Sequence, residues 1–370
     1  MGNKLKPASV PWISYQHDMV SCTRARYNAS DNIKESAGEH AVFSSPTLLQ
    51  TLSLFADPTI PAFAPSEEEI DPPTWRVAPS DPALTLPGKG LAQHSMLLVG
   101  EGCNRMFLVH NGRILWTFCA GKGWEYDDVW MLSSGNILFS RMYWAAMISP
   151  RKEILWRMDA PSGTEIHTLQ PIGPHHVLLV LNDMPPMAML IDWRSGTVLE
   201  QHSLLYDPSM SVHSQCRRFR MTAEGTYLMP CLGLGKVVEY NAAFRPIWTY
   251  EVGKPWAAVR LPDGNTLISD EETQTHMEVT KDGHIAWSIS LSELPAPYRL
   301  HDSQSCTRLA NGNTILCSRG NNGLSPQMVE VTREKEVVWV FHDFSEIGPV
   351  SAVQVLSEPG IPEQPGALAR

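Results

Sequence analysis

Two histidines and an arginine offer the most chemistry in this sequence. An unperturbed imidazole titrates close to neutral pH, so His167 or His213 could transfer a proton in a reaction. Arg217, or its neighbour Arg218, has paired N–H donors that could neutralise a substrate carboxylate. A lyase acting on a uronate needs this combination, because it must acidify the proton beside the carboxylate and then remove it. We therefore predict His167, His213 and Arg217 as candidate catalytic residues.

A second group of polar and aromatic residues is predicted to bind a ligand. Its members come from distant parts of the chain and fall at or near equivalent positions of the repeats described below: Tyr126, Asp127, Trp256, His301 and Gln304. Such a mix of titratable groups and aromatic rings is typical of a small-molecule or glycan site. The alternative interpretation is that these residues only satisfy one another and channel water.

A glycosidase would need a different arrangement, with two carboxylates at a defined separation. Asp127 and Asp128 are adjacent in the chain. On a strand they therefore point to opposite faces and cannot form that pair. The second carboxylate would have to come from another repeat.

No motif in the sequence predicts a metal site. The seven cysteines include no C-x-x-C pair, whereas a structural zinc site or a disulfide framework needs tighter clustering. Most of these thiols are predicted to be buried as small apolar residues. The acidic run Asp270-Glu271-Glu272 lacks the alternating oxygen ligands of a calcium loop. We therefore expect neither a metal nor an organic cofactor.

The elements that must position these residues are short strands in a repeat. Five segments have one or two apolar residues followed by tryptophan, at Trp116, Trp156, Trp248, Trp287 and Trp339. The spacings are 40, 92, 39 and 52 residues. A sixth copy that lacks the tryptophan is predicted within the long interval, at Gly196-Thr197-Val198-Leu199.

A tight-turn motif alternates with the tryptophan segments. The pattern Leu-x-x-Gly-Asn occurs at residues 132–136, 261–265 and 309–313, with looser copies at residues 171–178 and 220–228. Each copy predicts a strand, a turn in which Gly or Asn adopts special dihedral angles, and a second strand. Repeats of about 40 to 50 residues with four strands each are typical of a β-propeller.

The strand count predicts an all-β fold, a β-propeller with six blades. The first blade lacks a leading strand, whereas one strand, at residues 350–356, is left over after the last blade. We expect this C-terminal strand to complete the first blade and close the ring, because closure removes open sheet edges. Seven blades are the alternative, and they would need a further sheet from residues 1–90.

Composition divides the chain into three regions. Residues 1–90 are rich in Pro, Ser and acidic residues, and we predict that they are extended over the surface or partly disordered. Only residues 47–55 in this region have helix-like apolar spacing. Residues 91–357 are predicted to form the propeller, and residues 358–370 a C-terminal tail.

The repeats resemble those of the quinoprotein-like (PQQ-like) β-propellers, which carry the same turn and a tryptophan near the outer strand. More closely, residues 91–370 resemble a group of largely uncharacterised bacterial propeller proteins, in segments that include residues 127–132, 163–168 and 255–261. This resemblance implies the fold and transfers no catalytic residue. We do not expect PQQ binding, because a quinone dehydrogenase needs a larger propeller with its own metal and docking residues.

Charge and hydropathy exclude some partners. The 370 residues include 39 acidic and 29 basic side chains, giving a net charge of -10. This argues against nucleic acid, because counterion release requires a basic face. No run of 18 apolar residues predicts a membrane span. The N-terminus shows no secretory signal, which predicts a cytoplasmic protein, with export to the periplasm or medium as the alternative if the true start differs.

Three functions follow from these observations, and the sequence leaves open whether the protein is an enzyme. The first is a propeller that binds a small molecule, a glycan or a protein partner in its central funnel. The second is an enzyme on acidic carbohydrate, either a uronate lyase or a glycosidase. The third is sulfate transfer through His213 or His301, as arylsulfotransferase propellers perform it.

Overall fold

A computed structural model describes residues 47–60, 94–100, 105–110, 113–119, 125–344 and 347–370. Within these ranges the chain forms 24 β-strands and one short α-helix. The strands assemble into six antiparallel sheets of four strands each. The predicted six-bladed β-propeller is therefore confirmed, and the alternative of seven blades is wrong for the described residues.

Each sheet is one blade, and strands that are neighbours in a blade are mostly neighbours in the chain. Blade 1 contains β1 (Met96–Val99), β2 (Arg105–His110), β3 (Arg113–Cys119) and β24 (Ala352–Val355). Blade 2 contains β4 (Asp128–Met131), β5 (Ile137–Arg141), β6 (Trp144–Ile148) and β7 (Ile154–Asp159). Blade 3 contains β8 (Glu165–Ile172), β9 (His176–Asn182), β10 (Met187–Asp192) and β11 (Thr197–Ser203). Blade 4 contains β12 (Arg220–Met221), β13 (Tyr227–Cys231), β14 (Lys236–Tyr240) and β15 (Pro246–Glu251). Blade 5 contains β16 (Pro255–Arg260), β17 (Thr266–Asp270), β18 (Thr275–Val279) and β19 (Ile285–Ser290). Blade 6 contains β20 (Ser303–Arg308), β21 (Thr314–Ser318), β22 (Met328–Val331) and β23 (Val337–Phe341).

The ring closes through the first blade. Strand β24 pairs antiparallel with β1, in a register that runs from Met96 opposite Val355 to Val99 opposite Ala352. The two ends of the propeller sequence therefore share one sheet. This confirms the predicted closure by the C-terminal strand, which leaves no open edge between the last blade and the first.

The first strand of each repeat faces the centre of the ring. Strands β4, β8, β12, β16, β20 and β24 hold these inner positions, and they contact one another across neighbouring blades. Because every blade is the same meander, the inner strands all run in one direction. We call the face where they begin the entry face, and the face that carries the turns after them the exit face.

The same irregularity recurs between the third and fourth strands of every blade. The pairing register shifts by one residue there, at Leu108/Val109, Met147/Ile148, Leu190/Ile191, Glu239/Tyr240, Glu278/Val279 and Glu330/Val331. The fourth-strand residue opposite the shift is the repeated tryptophan in five blades, and it is Glu200 in blade 3. A bulge increases the twist of a strand locally. The recurring bulge therefore gives the outer strand of every blade a similar twist.

Three of these tryptophans also join neighbouring blades. Their indole N–H groups donate to backbone carbonyls of the next blade: Trp116 to Pro150 at 3.0 Å, Trp248 to Lys281 at 2.9 Å and Trp287 to Arg333 at 2.8 Å. The apolar ring fills the space between two sheets while its polar N–H is satisfied. The tryptophan signal of the sequence therefore marks contacts between blades.

A short helix packs on the first blade. Helix α1 (Leu48–Ser53) begins at Thr47, whose side chain forms a capping box with Gln50. Beyond it, the buried Phe55 ring meets the Trp116 ring edge to face, with centroids 5.4 Å apart. The rest of the predicted N-terminal region, residues 1–46 and 61–90, lies outside the described residues. No helix of the described part has the length and apolar character needed to span a bilayer.

The C-terminal tail crosses the exit face. The Glu363 carboxylate accepts hydrogen bonds from the Ser133 backbone and hydroxyl, both at 2.8 Å, and its carbonyl accepts from the Gly173 backbone at 2.8 Å. Further along, the Arg308 N–H donates to the Ala369 carbonyl at 2.9 Å. The tail thus bonds to turns or strand ends of blades 2, 3 and 6.

Candidate functional site

Four side chains form a chain of short polar contacts on the entry face. His167 Nδ1 lies 3.0 Å from Asp127 Oδ1, and His167 Nε2 lies 2.7 Å from Glu165 Oε2. The same Glu165 oxygen lies 2.9 Å from His213 Nδ1. The Asp127 contact is short but poorly aligned for a hydrogen bond, so it acts mainly as an ion pair. We call Asp127, Glu165, His167 and His213 the entry cluster.

Beta-bulges present three of the predicted residues at the start of the inner strands. The β8–β9 register skips His167, and the β16–β17 register skips Trp256. The β20–β21 register shifts between Ser303 and Cys306, a segment that contains Gln304. A bulge leaves its extra residue without a cross-strand partner and re-aims its side chain. Three blades therefore repeat one device that turns side chains toward a common end of the ring.

Arg217 is held beside the entry cluster by Trp256. The guanidinium carbon lies 4.8 Å from the centre of the Trp256 ring, and one guanidinium N–H donates to the His213 carbonyl. Both side chains are buried, and Arg217 Nε has no hydrogen-bond partner in the described structure. The Trp256 ring, predicted as an aromatic platform, therefore orients the Arg217 guanidinium. The buried Nε–H of Arg217 can still donate a hydrogen bond to a ligand.

The entry cluster shifts the pKa values of two of its members. Burial lowers the pKa of His167, but the Asp127 carboxylate outweighs this effect with help from Glu165, so the pKa is raised above its ordinary value. Burial raises the pKa of Glu165, but the hydrogen bonds from His167 and His213 lower it to about 2. The cluster therefore favours an ionised carboxylate beside a charged imidazole.

Three side chains with metal-ligating atoms overlap the entry cluster. Glu125, His167 and His213 each offer one ligand atom, and these atoms lie within 4.8 Å of one another. The sequence predicted both histidines, but it gave Glu165 no role. Glu165 stands two residues before His167 at the start of an inner strand, and this spacing is the signal that could have found it.

The other predicted residues are placed differently. Tyr126 was predicted to contact a ligand, but its ring is fully buried against Phe139, with centroids 5.5 Å apart, because it belongs to the core between blades 1 and 2. Gln304 is fully buried, and neither atom of its amide has a hydrogen-bond partner in the described structure. His301 is exposed, and its backbone bonds to the Ser318 hydroxyl.

Below the entry cluster, the centre of the ring is filled by ion pairs. Asp128 Oδ1 lies 3.0 Å from Arg218 Nη1, and Asp128 Oδ2 lies 2.8 Å from Arg220 Nη1. Arg370 from the tail adds a contact at 3.6 Å. Adjacent aspartates thus serve different sites, since Asp127 faces His167.

A cavity of about 470 Å³ lies beside the first blade, between residues 55–60 and strand β3. Two cavities of about 340 Å³ and 320 Å³ adjoin the tail at the exit face. Neither is lined by a histidine, and the only carboxylate among their lining residues is that of Glu358. The cavities at the exit face therefore lack the titratable side chains that gather at the entry face. We assign the candidate site to the entry face, because titratable groups from several blades converge there.

Comparison with known proteins agrees on the class of fold. No protein-family model and no curated protein matches the chain. Among solved structures, a Bacteroides caccae protein of unknown function aligns with a TM-score of 0.62 at 24% identity, covering 70% of this chain and 97% of that one. A streptogramin B lyase aligns with a TM-score of 0.49 at 13% identity, covering 71% and 86%. The likeness to the Bacteroides caccae protein shows the fold alone, and the six sheets make the chain a β-propeller.

Proposed function

We propose that the entry face binds a small sugar-like ligand that carries hydroxyl groups and a carboxylate. The observation that carries this proposal is the set of bulges that brings His167 and Trp256, and with it Arg217, to one end of the ring. Carboxylates of the entry cluster can accept hydrogen bonds from sugar hydroxyls, and the free Nε–H of Arg217 can pair with a ligand carboxylate.

Buried polar atoms without partners support a ligand at this end of the inner strands. Arg217 Nε and both polar atoms of the Gln304 amide are buried without a hydrogen bond in the described structure. Leaving such a group unsatisfied costs about 1 to 3 kcal/mol. A polar ligand or ordered water that satisfies them would recover this free energy. The same atoms would also select against an apolar ligand.

Binding can be tested by calorimetric titration with glucuronate and galacturonate oligomers, and with neutral oligosaccharides of equal length. We expect the uronates to bind more tightly than the neutral sugars. Gln304→Leu keeps the volume of the side chain and should weaken uronate binding about tenfold, as the loss of one or two hydrogen bonds implies. His202→Ala, on the outer strand β11, is the matched control. Equal binding by Gln304→Leu and the parent protein would contradict the proposal.

A uronate lyase is the second candidate function, because Glu165 joins two imidazoles and the side chain of His213 is 44% exposed. An exposed imidazole held by a carboxylate can exchange a proton with a bound substrate. Elimination creates an unsaturated product that absorbs ultraviolet light. We expect absorbance to grow with a uronate glycan and to be lost in His213→Ala. No absorbance change with any uronate glycan would remove this candidate and leave binding in place.

A further inference from the structure

We propose that Glu125, His167 and His213 bind a divalent first-row transition-metal ion of the zinc class on the entry face. One ligand atom from each of these side chains lies within 4.8 Å of the other two. Two imidazoles and a carboxylate are donors that such ions accept, and three protein ligands leave a position open for water or substrate. This inference rests on the proposed function, because it adds an ion to the same site.

The charges around these residues favour a cation. Three carboxylates, those of Glu125, Asp127 and Glu165, approach the two imidazoles, and Arg217 is the cation that bonds to the His213 carbonyl. A divalent ion that takes the place of the protons on the two imidazoles would be attracted by these carboxylates.

The positions of Asp127 and Glu165 fit a metal site. Asp127 Oδ1 lies 3.0 Å from His167 Nδ1, so the carboxylate approaches one nitrogen of the imidazole and leaves the other nitrogen for the ion. That nitrogen, Nε2, lies 2.7 Å from Glu165 Oε2, and the same oxygen lies 2.9 Å from His213 Nδ1. Glu165 therefore stands between both imidazoles, where it could become a fourth donor. The ion would supply the positive charge that a ligand carboxylate needs.

The inference can be tested with metal ions alone. Chelator-treated protein is titrated with ZnCl₂ and, separately, with MnCl₂ and CoCl₂, and binding is followed by calorimetry without any sugar. We expect one saturable ion per chain. His213→Ala and Glu125→Gln remove direct ligands and should weaken binding by about tenfold or more, the lower bound expected for supporting groups. The side chain of His213 is 44% exposed, so its removal should lower the thermal unfolding midpoint of the metal-free protein by only a few degrees, as the loss of an exposed ion pair does.

A matched control comes from another histidine beside a glutamate. His202 Nε2 lies 3.6 Å from Glu200 Oε2, and both side chains are exposed on strand β11. His202→Ala should bind the ion as the parent protein does. The inference is overturned if none of the three ions binds saturably, or if His213→Ala and Glu125→Gln bind as tightly as His202→Ala.

Sugar titrations with and without the ion separate this inference from the proposed function. If a uronate binds the chelator-treated protein and no ion binds, the metal site is refuted and the proposed function stands. If the ion binds and no sugar binds in either condition, the metal site stands and the proposed function fails. If the ion binds and tightens uronate binding, both are supported.

Discussion

Asp128 shows how one buried residue organises the centre of the ring. Its side chain has no exposed surface, and two arginines lie at ion-pair distance from its carboxylate. Burial raises the pKa of Asp128, but Arg220 and Arg218 outweigh it, so the pKa is lowered below its ordinary value. The carboxylate is therefore ionised at neutral pH, and it holds together strands from blades 2 and 4.

Replacing Asp128 should strongly destabilise the propeller. Asp128→Asn leaves Arg218 and Arg220 buried without their counter-charge. Breaking a buried ion pair by removing one partner costs about 3 to 5 kcal/mol, and urea unfolding should show a loss of that size. Asp159→Asn is the matched control, because its Arg157 partner is also exposed. Exposed pairs contribute about 0 to 1 kcal/mol, and similar losses in both variants would contradict this account.

His276 should make the stability depend on pH in the mildly acidic range. Burial lowers the pKa of His276 to about 3, although Asp270 acts in the opposite direction. The unfolded imidazole has its ordinary pKa near 6.5, so the unfolded chain takes up the proton first as the pH falls. Stability from this residue is complete above pH 6.5 and is lost from there toward pH 3.

The comparison of His276→Gln with the parent protein isolates this contribution. The free energy of unfolding is measured in urea at pH 7 and at pH 5. As the pH falls, the parent protein should lose up to about 1.4 kcal/mol of this free energy per pH unit more than the variant loses. Carboxylates that titrate in both proteins cancel in the difference. Equal losses in the two proteins would show that His276 is not buried in its neutral form.

At the scale of elements, α1 adds to the propeller core although the sequence places it in a separate region. Leu52 of α1 and Phe55 just after it are 4% and 3% exposed and belong to the cluster around Trp116, whereas Leu49 of α1 is 69% exposed. Phe55→Ala should lower the free energy of unfolding by about 3 kcal/mol, as large-to-small core changes do. Leu49→Ala should change it by less than about 0.5 kcal/mol. Urea titration of both variants checks this, and equal effects would contradict the packing.

The sequence predicted those elements whose signals lie within a short stretch of the chain. The turn at Gly312 can be read directly, because its φ of +91° is an angle that glycine adopts without strain. The outer tryptophans are equally visible, since one bulky residue recurs at one position in five blades. The bulges at His167 and Trp256 depend on the register of the partner strand. For that reason the sequence could name these two residues as site candidates but could not show why Glu165 joins them.

At the scale of the whole molecule, the sequence predicted that the C-terminal strand closes the ring. It did not predict that the C-terminal tail covers the exit face. The leftover strand at residues 350–356 could be matched with the incomplete first blade by counting, because every blade needs four strands. The tail has no repeated pattern, and its contacts, such as Glu363 with Ser133 and Arg370 with Asp128, join residues far apart in the chain. Pairwise contacts of that kind leave no periodic trace in a single sequence.

Two truncations separate the roles of closure and cover. A chain ending at residue 349 lacks β24, so β1 keeps β2 but loses its other partner, and four buried residues, Met96 to Val99, lie along an open edge. We expect this chain to aggregate or to lose cooperative unfolding, since open apolar edges recruit other strands. A chain ending at residue 357 keeps β24 and loses only the tail. It should unfold cooperatively at a lower midpoint, because Asp128 loses Arg370 and Ser133 loses Glu363.

Thermal unfolding and size-exclusion chromatography of both truncated chains distinguish these outcomes. A synthetic peptide of residues 350–370 provides the control, because it contains the complete closing strand and the tail. Added to the chain ending at residue 349, it should restore a cooperative transition by pairing with β1, as strand addition to an exposed edge allows. The same peptide with its sequence scrambled should not. If the chain ending at residue 349 unfolds cooperatively without the peptide, five complete blades hold the sixth in place, and closure by β24 is not what stabilises the ring.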